Sequence, residues 1–148
     1  MAEYVKDNVH IMGEFGHVMY LIENHAKRLF SQFELKPWQA GIVLVLARHD
    51  MSQKELAEQM NVTPSTITTS IQKMEKEGYV KRCVDPKDQR VMRLSITDKS
   101  WKYLDDLTEV GDLIEDIIFD GMSVEERIVL KRLIIQVRDN LQRAEELV

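Results

Sequence analysis

Two helix starts set close together, Ser52 and Thr63, constrain this chain more than any other feature. Ser52-Gln53-Lys54-Glu55 reads as a capping box. The serine hydroxyl can accept from the amide three residues on, while the Glu55 carboxylate reaches back to the Ser52 amide. Leu56, Ala57 and Met60 follow at helical spacing, and Asn61 stands where this helix should stop. Thr63 is a good N-cap, and Pro64 suits the first helical position, where its missing N–H costs nothing. A gap this short forces a sharp angle between the two helices, which is helix-turn-helix geometry.

The second of these helices has two distinct faces. Ile67, Ile71 and Met74 recur at i, i+4 and i+7 and are expected to pack inward. The opposite side carries Ser65, Thr69, Gln72, Lys73 and Lys76, flanked by Thr66 and Thr68. Small hydroxyls allow close approach to a DNA duplex, and the amide and lysines can bond phosphates or base edges. A polar surface helix would show much the same pattern, so this helix alone leaves both readings open.

A hairpin follows. Gly78 can end the helix in a left-handed conformation. Val80 to Val84 then reads as a strand, Asp85-Pro86-Lys87-Asp88-Gln89 as a turn, and Val91 to Ile96 as the return strand. Met92, Leu94 and Ile96 share one face of that strand, with Val91, Arg93 and Ser95 on the other. Arg90, near the tip, can enter a narrow minor groove, where negative potential is enhanced. Asp88, two residues earlier, is expected to orient it through a bidentate pair. The alternative is a solvated wing with a weak surface ion pair.

Thr63-Pro64-Ser65-Thr66-Ile67-Thr68, the run Met74 to Arg82, Asp85 to Arg90 and Leu94-Ser95-Ile96-Thr97 together resemble the multiple-antibiotic-resistance-regulator (MarR) family. Leu35-Lys36-Pro37-Trp38-Gln39 resembles the segment opening that family's second helix, and Met122 to Glu126 the start of its last helix. The resemblance implies that Asp88 and Arg90 are the family's D-x-R wing signature. The chain departs from the pattern at Thr69 and Gln89, where the family often has arginine. The resemblance also implies an effector site between a dimer platform and the winged region. Met12, Phe15, Met19, Trp38 and Ile42 are the candidates here, a set suited to a flat apolar or phenolic molecule and equally suited to plain core.

Charge distribution bears on the partner. The chain of 148 residues has a net charge of −5, yet residues 63–93 hold seven Lys/Arg against four acids. A basic segment on an acidic body favours a polyanion at that segment and discourages indiscriminate binding elsewhere. With 44% hydrophobic and 30% charged residues, the chain is expected to fold as one compact subunit. The longest strongly apolar run, residues 40–47, is too short to span a bilayer. The N-terminus lacks a signal-peptide pattern, and one cysteine leaves no internal disulfide, so a cytoplasmic location without membrane contact is expected.

The outer segments read as long helices. Ile11, Phe15, Val18, Ile22, Ala26 and Leu29 form one stripe. Leu104, Leu107, Gly111, Ile114 and Ile118 alternate by three and four beside a second strip of Val110, Leu113 and Ile117. Ser123-Val124-Glu125-Glu126 is another capping box, followed by Leu130, Leu133, Ile134, Val137 and Leu141. This is more apolar surface than one small subunit can cover, which suggests a self-associating platform.

Enzyme chemistry finds no motif. There is no phosphate-cradling Gly-rich loop, no H-E-x-x-H and no nucleophile elbow. His10, His17, His25 and His49 do not form a ligand cluster, and Cys83 reads as a structural thiol.

The expected fold is mainly α with a small β-hairpin wing: a winged helix-turn-helix plus a helical dimerisation platform built from both termini. Residues 35–97 would be the DNA-binding domain, and 1–34 with 98–148 the dimerisation region. The expected function is a dimeric repressor of a pseudo-palindromic operator, not an enzyme and without a cofactor or metal, relieved by a small phenolic or apolar effector. Ser65, Thr66, Thr68, Thr69, Gln72, Lys73, Lys76, Lys87, Asp88 and Arg90 are the candidate DNA contacts. The alternative is a winged-helix module that binds another protein and no operator.

Overall fold

The computed structural model describes residues 2–145, with side chains from His10 onward. It is mainly helical with one small antiparallel sheet. The order is α1 (Ala2–Phe30), a 3-10 turn (Ser31–Phe33), α2 (Pro37–Leu46), β1 (Met51–Ser52), α3 (Gln53–Gln59), α4 (Pro64–Lys76), β2 (Val80–Val84), β3 (Met92–Ile96), α5 (Asp98–Ile118) and α6 (Val124–Glu145). Two compact units are present, residues 1–114 and 115–148.

Local chemistry sets the helix boundaries in the first unit. The Glu55 amide donates to the Ser52 hydroxyl at 3.1 Å, and the Ser52 amide to the Glu55 carboxylate at 2.7 Å, closing the expected box. At the other end of α3, Asn61 adopts φ 53°, a left-handed geometry that asparagine tolerates better than most residues. The Val62 amide then reaches the Ala57 carbonyl at 3.0 Å and the Asn61 amide the Glu58 carbonyl at 3.1 Å, which is a Schellman ending. The end of α4 repeats the device. Gly78 has φ 79°, the Tyr79 amide donates to Met74 and the Gly78 amide to Glu75. Left-handed Asn61 and the Thr63 cap together reverse the chain within the short turn between α3 and α4.

The core lies under α4. Ile67, Ile71 and Met74 are wholly buried and share one cluster with Ile42, Val43 and Leu46 of α2, Leu56 and Ala57 of α3, and Leu94 and Ile96 of β3. Helix α2 is apolar on nearly every side because it runs through the middle of this cluster. Its Trp38 indole donates to the Ser70 hydroxyl of α4 at 3.1 Å, tying the central helix to the one above it.

The sheet has three strands in the order β1-β3-β2, so the expected two-stranded hairpin gains a partner. Met51 pairs with Leu94 and Ser52 with Arg93. A strand of two residues is too short to show alternation, and the Ser52 capping signal masks it. The return strand also begins at Met92 rather than Val91, because the Val91 amide closes the turn onto the Asp88 carbonyl at 3.0 Å.

Buried Tyr79 anchors the base of the wing. Its hydroxyl donates to the Phe33 carbonyl at 3.2 Å, and its own carbonyl accepts from the Ser100 hydroxyl at 2.6 Å. On α1, by contrast, Ile11, Met12, Val18 and Met19 are between 47% and 71% exposed, and among the described side chains the first buried one is Ala26.

In the second unit, the Ser123 amide donates to the Glu126 carboxylate at 2.8 Å and the Glu126 amide to the Ser123 hydroxyl at 3.2 Å. Helix α6 therefore starts where its capping box places it. It buries none of its residues: Ile128, Leu133, Ile134, Val137 and Leu141 are all 42% to 63% exposed.

Candidate nucleic-acid interface

Helix α4 presents the hydroxyl-rich face to solvent. Ser65, Thr66, Thr69, Gln72, Lys73 and Lys76 are all exposed, opposite the wholly buried Ile67, Ile71 and Met74. Thr63 caps the helix, and its hydroxyl also shares hydrogen bonds with Ser65 at 3.0 Å and Thr66 at 2.9 Å. Hydroxyls gathered at a helix start lie where unsatisfied amides and the helix dipole favour an anion. Lys73 lies 3.7 Å from the Glu77 carboxylate, a solvated pair too weak to withhold the lysine from a phosphate.

Thr68 is placed differently from its neighbours. It is half-buried, its hydroxyl donates to the Pro64 carbonyl at 2.8 Å, and it accepts from the Gln53 side-chain Nε2 at 2.6 Å. Both of its usual hydrogen-bonding directions are occupied inside the protein.

The wing tip carries Lys87, Asp88 and Arg90. Lys87 is exposed, and the Arg90 side chain is 91% exposed. Arg90 meets Asp88 through Nε alone, at 3.3 Å from Oδ1, and the same oxygen accepts the Arg90 amide at 3.0 Å. The expected bidentate pair is therefore a single side-chain contact. A separation of two residues in a tight turn brings the carboxylate beside the backbone amide, and one oxygen serves both donors.

Sequence reasoning missed the groups that hold this wing in place. Asp85 is buried and accepts from the Lys87 amide at 2.7 Å, the Asp88 amide at 3.1 Å and the Arg93 guanidinium. Arg93 also donates from Nη1 to the Asp50 carbonyl at 2.9 Å and to Glu55 at 3.4 Å. One arginine thus joins the wing turn, the start of β1 and the first turn of α3. Arg93 and Asp85 are only eight residues apart, but nothing in a charge count distinguishes Arg93 from the other cations of the wing.

Hydrogen bonding from Arg93, then from the Lys87 amide, holds the Asp85 carboxyl below the usual aspartate range. Asp85 raises the Arg93 value correspondingly. A carboxyl depressed on folding contributes stability that is present above its unfolded pKa, about 3.9, and is lost as pH falls through its folded value. The Lys87 and Asp88 amide resonances are therefore expected to hold steady from neutral pH to about 4 and to shift only below it. Asp85→Asn should abolish the transition. A midpoint at or above the ordinary aspartate value would overturn this account of the wing.

The effector candidates differ in exposure. Met12, Phe15 and Met19 are exposed on α1, and Trp38 is half-buried against α4. Ile42 is wholly buried, so it belongs to the core and to no ligand-accessible surface, because its face of α2 is covered by the residues it packs with. A cleft of about 530 Å³ is lined by His49, Met51, Glu55, Glu58 and Arg93, among others, at the base of the wing. A smaller one of about 350 Å³ is lined by Gln32, Asp106, Glu109, Val110 and Leu113.

Cys83 is half-buried, with its sulfur 3.6 Å from the Arg93 carbonyl and 3.7 Å from the Ser95 hydroxyl. His25 accepts from Arg28 at 2.8 Å. Among the described residues no group of three or more His, Cys, Asp or Glu is arranged to hold a metal, and no helix is long and apolar enough to cross a membrane.

Residues 33–91 match the model of the MarR family. The uncharacterized HTH-type transcriptional regulator YybA of Bacillus subtilis (strain 168) is 24% identical over 134 residues, covering 90% of this chain and 89% of that protein. Among solved structures, the transcriptional regulator SlyA superposes with a TM-score of 0.79 at 19% identity, over 93% of this chain and 98% of that one. The S. aureus MepR–DNA complex gives a TM-score of 0.78 at 20% identity, over 87% of this chain and 96% of that one.

Proposed function

The chain belongs to the MarR family of transcriptional regulators, and we propose that it acts as a homodimeric repressor seated on a pseudo-palindromic operator in the cytoplasm. The carrying observation is the outward face of α4. It offers hydroxyls, Gln72 and two lysines on a helix held by three wholly buried anchors. In this reading α4 enters the major groove, with Ser65, Thr66, Thr69 and Gln72 near base edges and Lys73 and Lys76 on phosphates. Lys87 and Arg90 follow the backbone into the adjoining minor groove, with Asp88 orienting Arg90. MepR, whose fold this chain shares, is a protein captured on DNA, which supports the same mode of engagement.

Dimerisation is supported by the exposed apolar residues of α6, among them Ile128, Leu133, Ile134, Val137 and Leu141. None of the residues of α6 is fully buried, and a helix with an apolar face gains most of its stability from packing. Two-fold pairing would set two recognition helices about 34 Å apart, one turn of the duplex. A dimer seated across a promoter occludes it, so repression is the direct output.

Relief by a small apolar or phenolic effector is proposed near Met12, Phe15, Met19 and Trp38. Trp38 is hydrogen-bonded to Ser70 of α4, so its fluorescence would report any shift of the recognition helix. Such a ligand needs different affinities for the DNA-competent and incompetent states.

The test is a gel-shift titration against duplexes selected by the protein from a randomised library, repeated at several salt concentrations. Lys73→Ala is expected to weaken selected and random duplexes alike and to reduce the salt slope by about one. Thr69→Ala should instead alter preference among selected duplexes. Salt-insensitive or undetectable binding by the wild type would leave a protein-interaction module as the better reading.

A further inference from the structure

We propose that Gln53 and Arg82 are positioning residues for DNA recognition, which with Glu75 lock the wing strand, the recognition helix and α3 into one register. The inference rests on the DNA-binding reading above. Arg82 stands in the basic run Lys81-Arg82, and charge alone would assign it to a phosphate. Its contacts point elsewhere. Its Nε donates to Glu75 at 2.8 Å and its terminal nitrogen to the Gln53 side-chain oxygen at 3.1 Å, leaving the side chain 34% exposed. The other end of Gln53 donates to the Thr68 hydroxyl at 2.6 Å, and Thr68 donates onward to the Pro64 carbonyl at 2.8 Å.

This chain of hydrogen bonds leaves β2, passes through α3 and meets α4 twice, at Thr68 and at Glu75. Two attachments seven residues apart on a rigid helix are separated by about 10 Å along its axis. A single attachment would let α4 pivot on its core anchors, whereas two also set its tilt against the wing. The planar fork of arginine meets Glu75 and Gln53 through two nitrogens in fixed geometry, and a lysine in its place keeps the charge but offers a single nitrogen to both acceptors. Glu75, the acid on the edge of a DNA-facing helix, is accounted for by the same arrangement. It holds the guanidinium rather than opposing the phosphates.

A phosphate contact and a positioning role make opposite predictions. The probe is a duplex selected by the wild-type protein from a randomised library, titrated across salt with Arg82→Lys, Gln53→Ala, Glu75→Gln and the Arg82→Lys/Glu75→Gln double variant. Each single variant is expected to weaken binding by about tenfold with an unchanged salt slope, and the double variant to be little worse than either parent. Glu75→Gln decides most sharply, since removing a negative charge beside DNA should tighten binding if net charge governed it. Wild-type affinity in Arg82→Lys, tighter binding by Glu75→Gln, or a slope reduced by about 0.9 would overturn the proposal. Thermal melting and sedimentation accompany each titration. If Arg82→Lys is too unstable to assay, Gln53→Ala and Glu75→Gln carry the same decision. A wild type that binds no selected duplex would overturn the DNA-binding reading as well, whereas a binding wild type with any of the three contrary results overturns this inference alone.

Discussion

Leu133→Glu is expected to yield a monomer and to lower affinity for a two-half-site duplex by about 10²–10⁴-fold. Leu133 is 44% exposed on α6, among Ile134, Val137 and Leu141, which are also exposed. Within one subunit a glutamate there would meet water and cost little. In a dimer joined through this face it would be buried without a partner, and an uncompensated buried charge is strongly destabilising. The loss of affinity follows from geometry rather than from any lost DNA contact. Once one recognition helix is seated, the second binds at the high effective concentration that its tether imposes, and a monomer forfeits this advantage. Sedimentation gives the mass, and parallel titration of full and half sites gives the coupling. A dimeric Leu133→Glu protein would remove α6 from the proposed interface, and a monomeric wild type that still bound the full site tightly would remove the platform altogether.

Arg90→Ala is expected to weaken operator binding by about 1–3 kcal/mol while leaving melting temperature and dimerisation unchanged. The side chain is 91% exposed and its described contacts are with Asp88, two residues away, so its truncation opens no cavity and strands no buried group. Asp88→Asn should cause part of the same loss. Asparagine keeps an oxygen for the Arg90 amide but gives up the charge that steadies the guanidinium. Fluorescence anisotropy with a labelled duplex measures both, and wild-type affinity in Arg90→Ala would sink the minor-groove role of the wing.

Capping boxes, an N1 proline and left-handed C-terminal residues act within about four positions along the chain, so Ser52, Asn61, Thr63, Pro64, Gly78 and Ser123 disclosed the helix ends directly. Burial of Ile67, Ile71 and Met74 was equally legible, since helical period alone puts them on one face. Strand β1 was not legible. Two residues carry no period, and they become a strand only because β3 arrives beside them.

Polar pairing was the least legible of all. Arg90, Arg93 and Arg82 look alike in sequence, yet one points to solvent, one closes on Asp85 and the Asp50 carbonyl, and one bridges Glu75 and Gln53. Sheet register sets Cys83 opposite Arg93 and Arg82 opposite Leu94, and the packing of α3 and α4 on that sheet brings up the remaining partners. Ile42 and Thr68 follow the same logic: both sit on surfaces that helical spacing leaves open and that neighbouring elements close. Sequence by itself therefore determined where α3 and α4 begin and end, where α6 begins, which face of α4 turns inward and where cations collect. Only the tertiary structure decided which of those cations hold the fold and which stay exposed to solvent, because a hydrogen-bond partner 29 or 43 residues away has no position until the chain has folded.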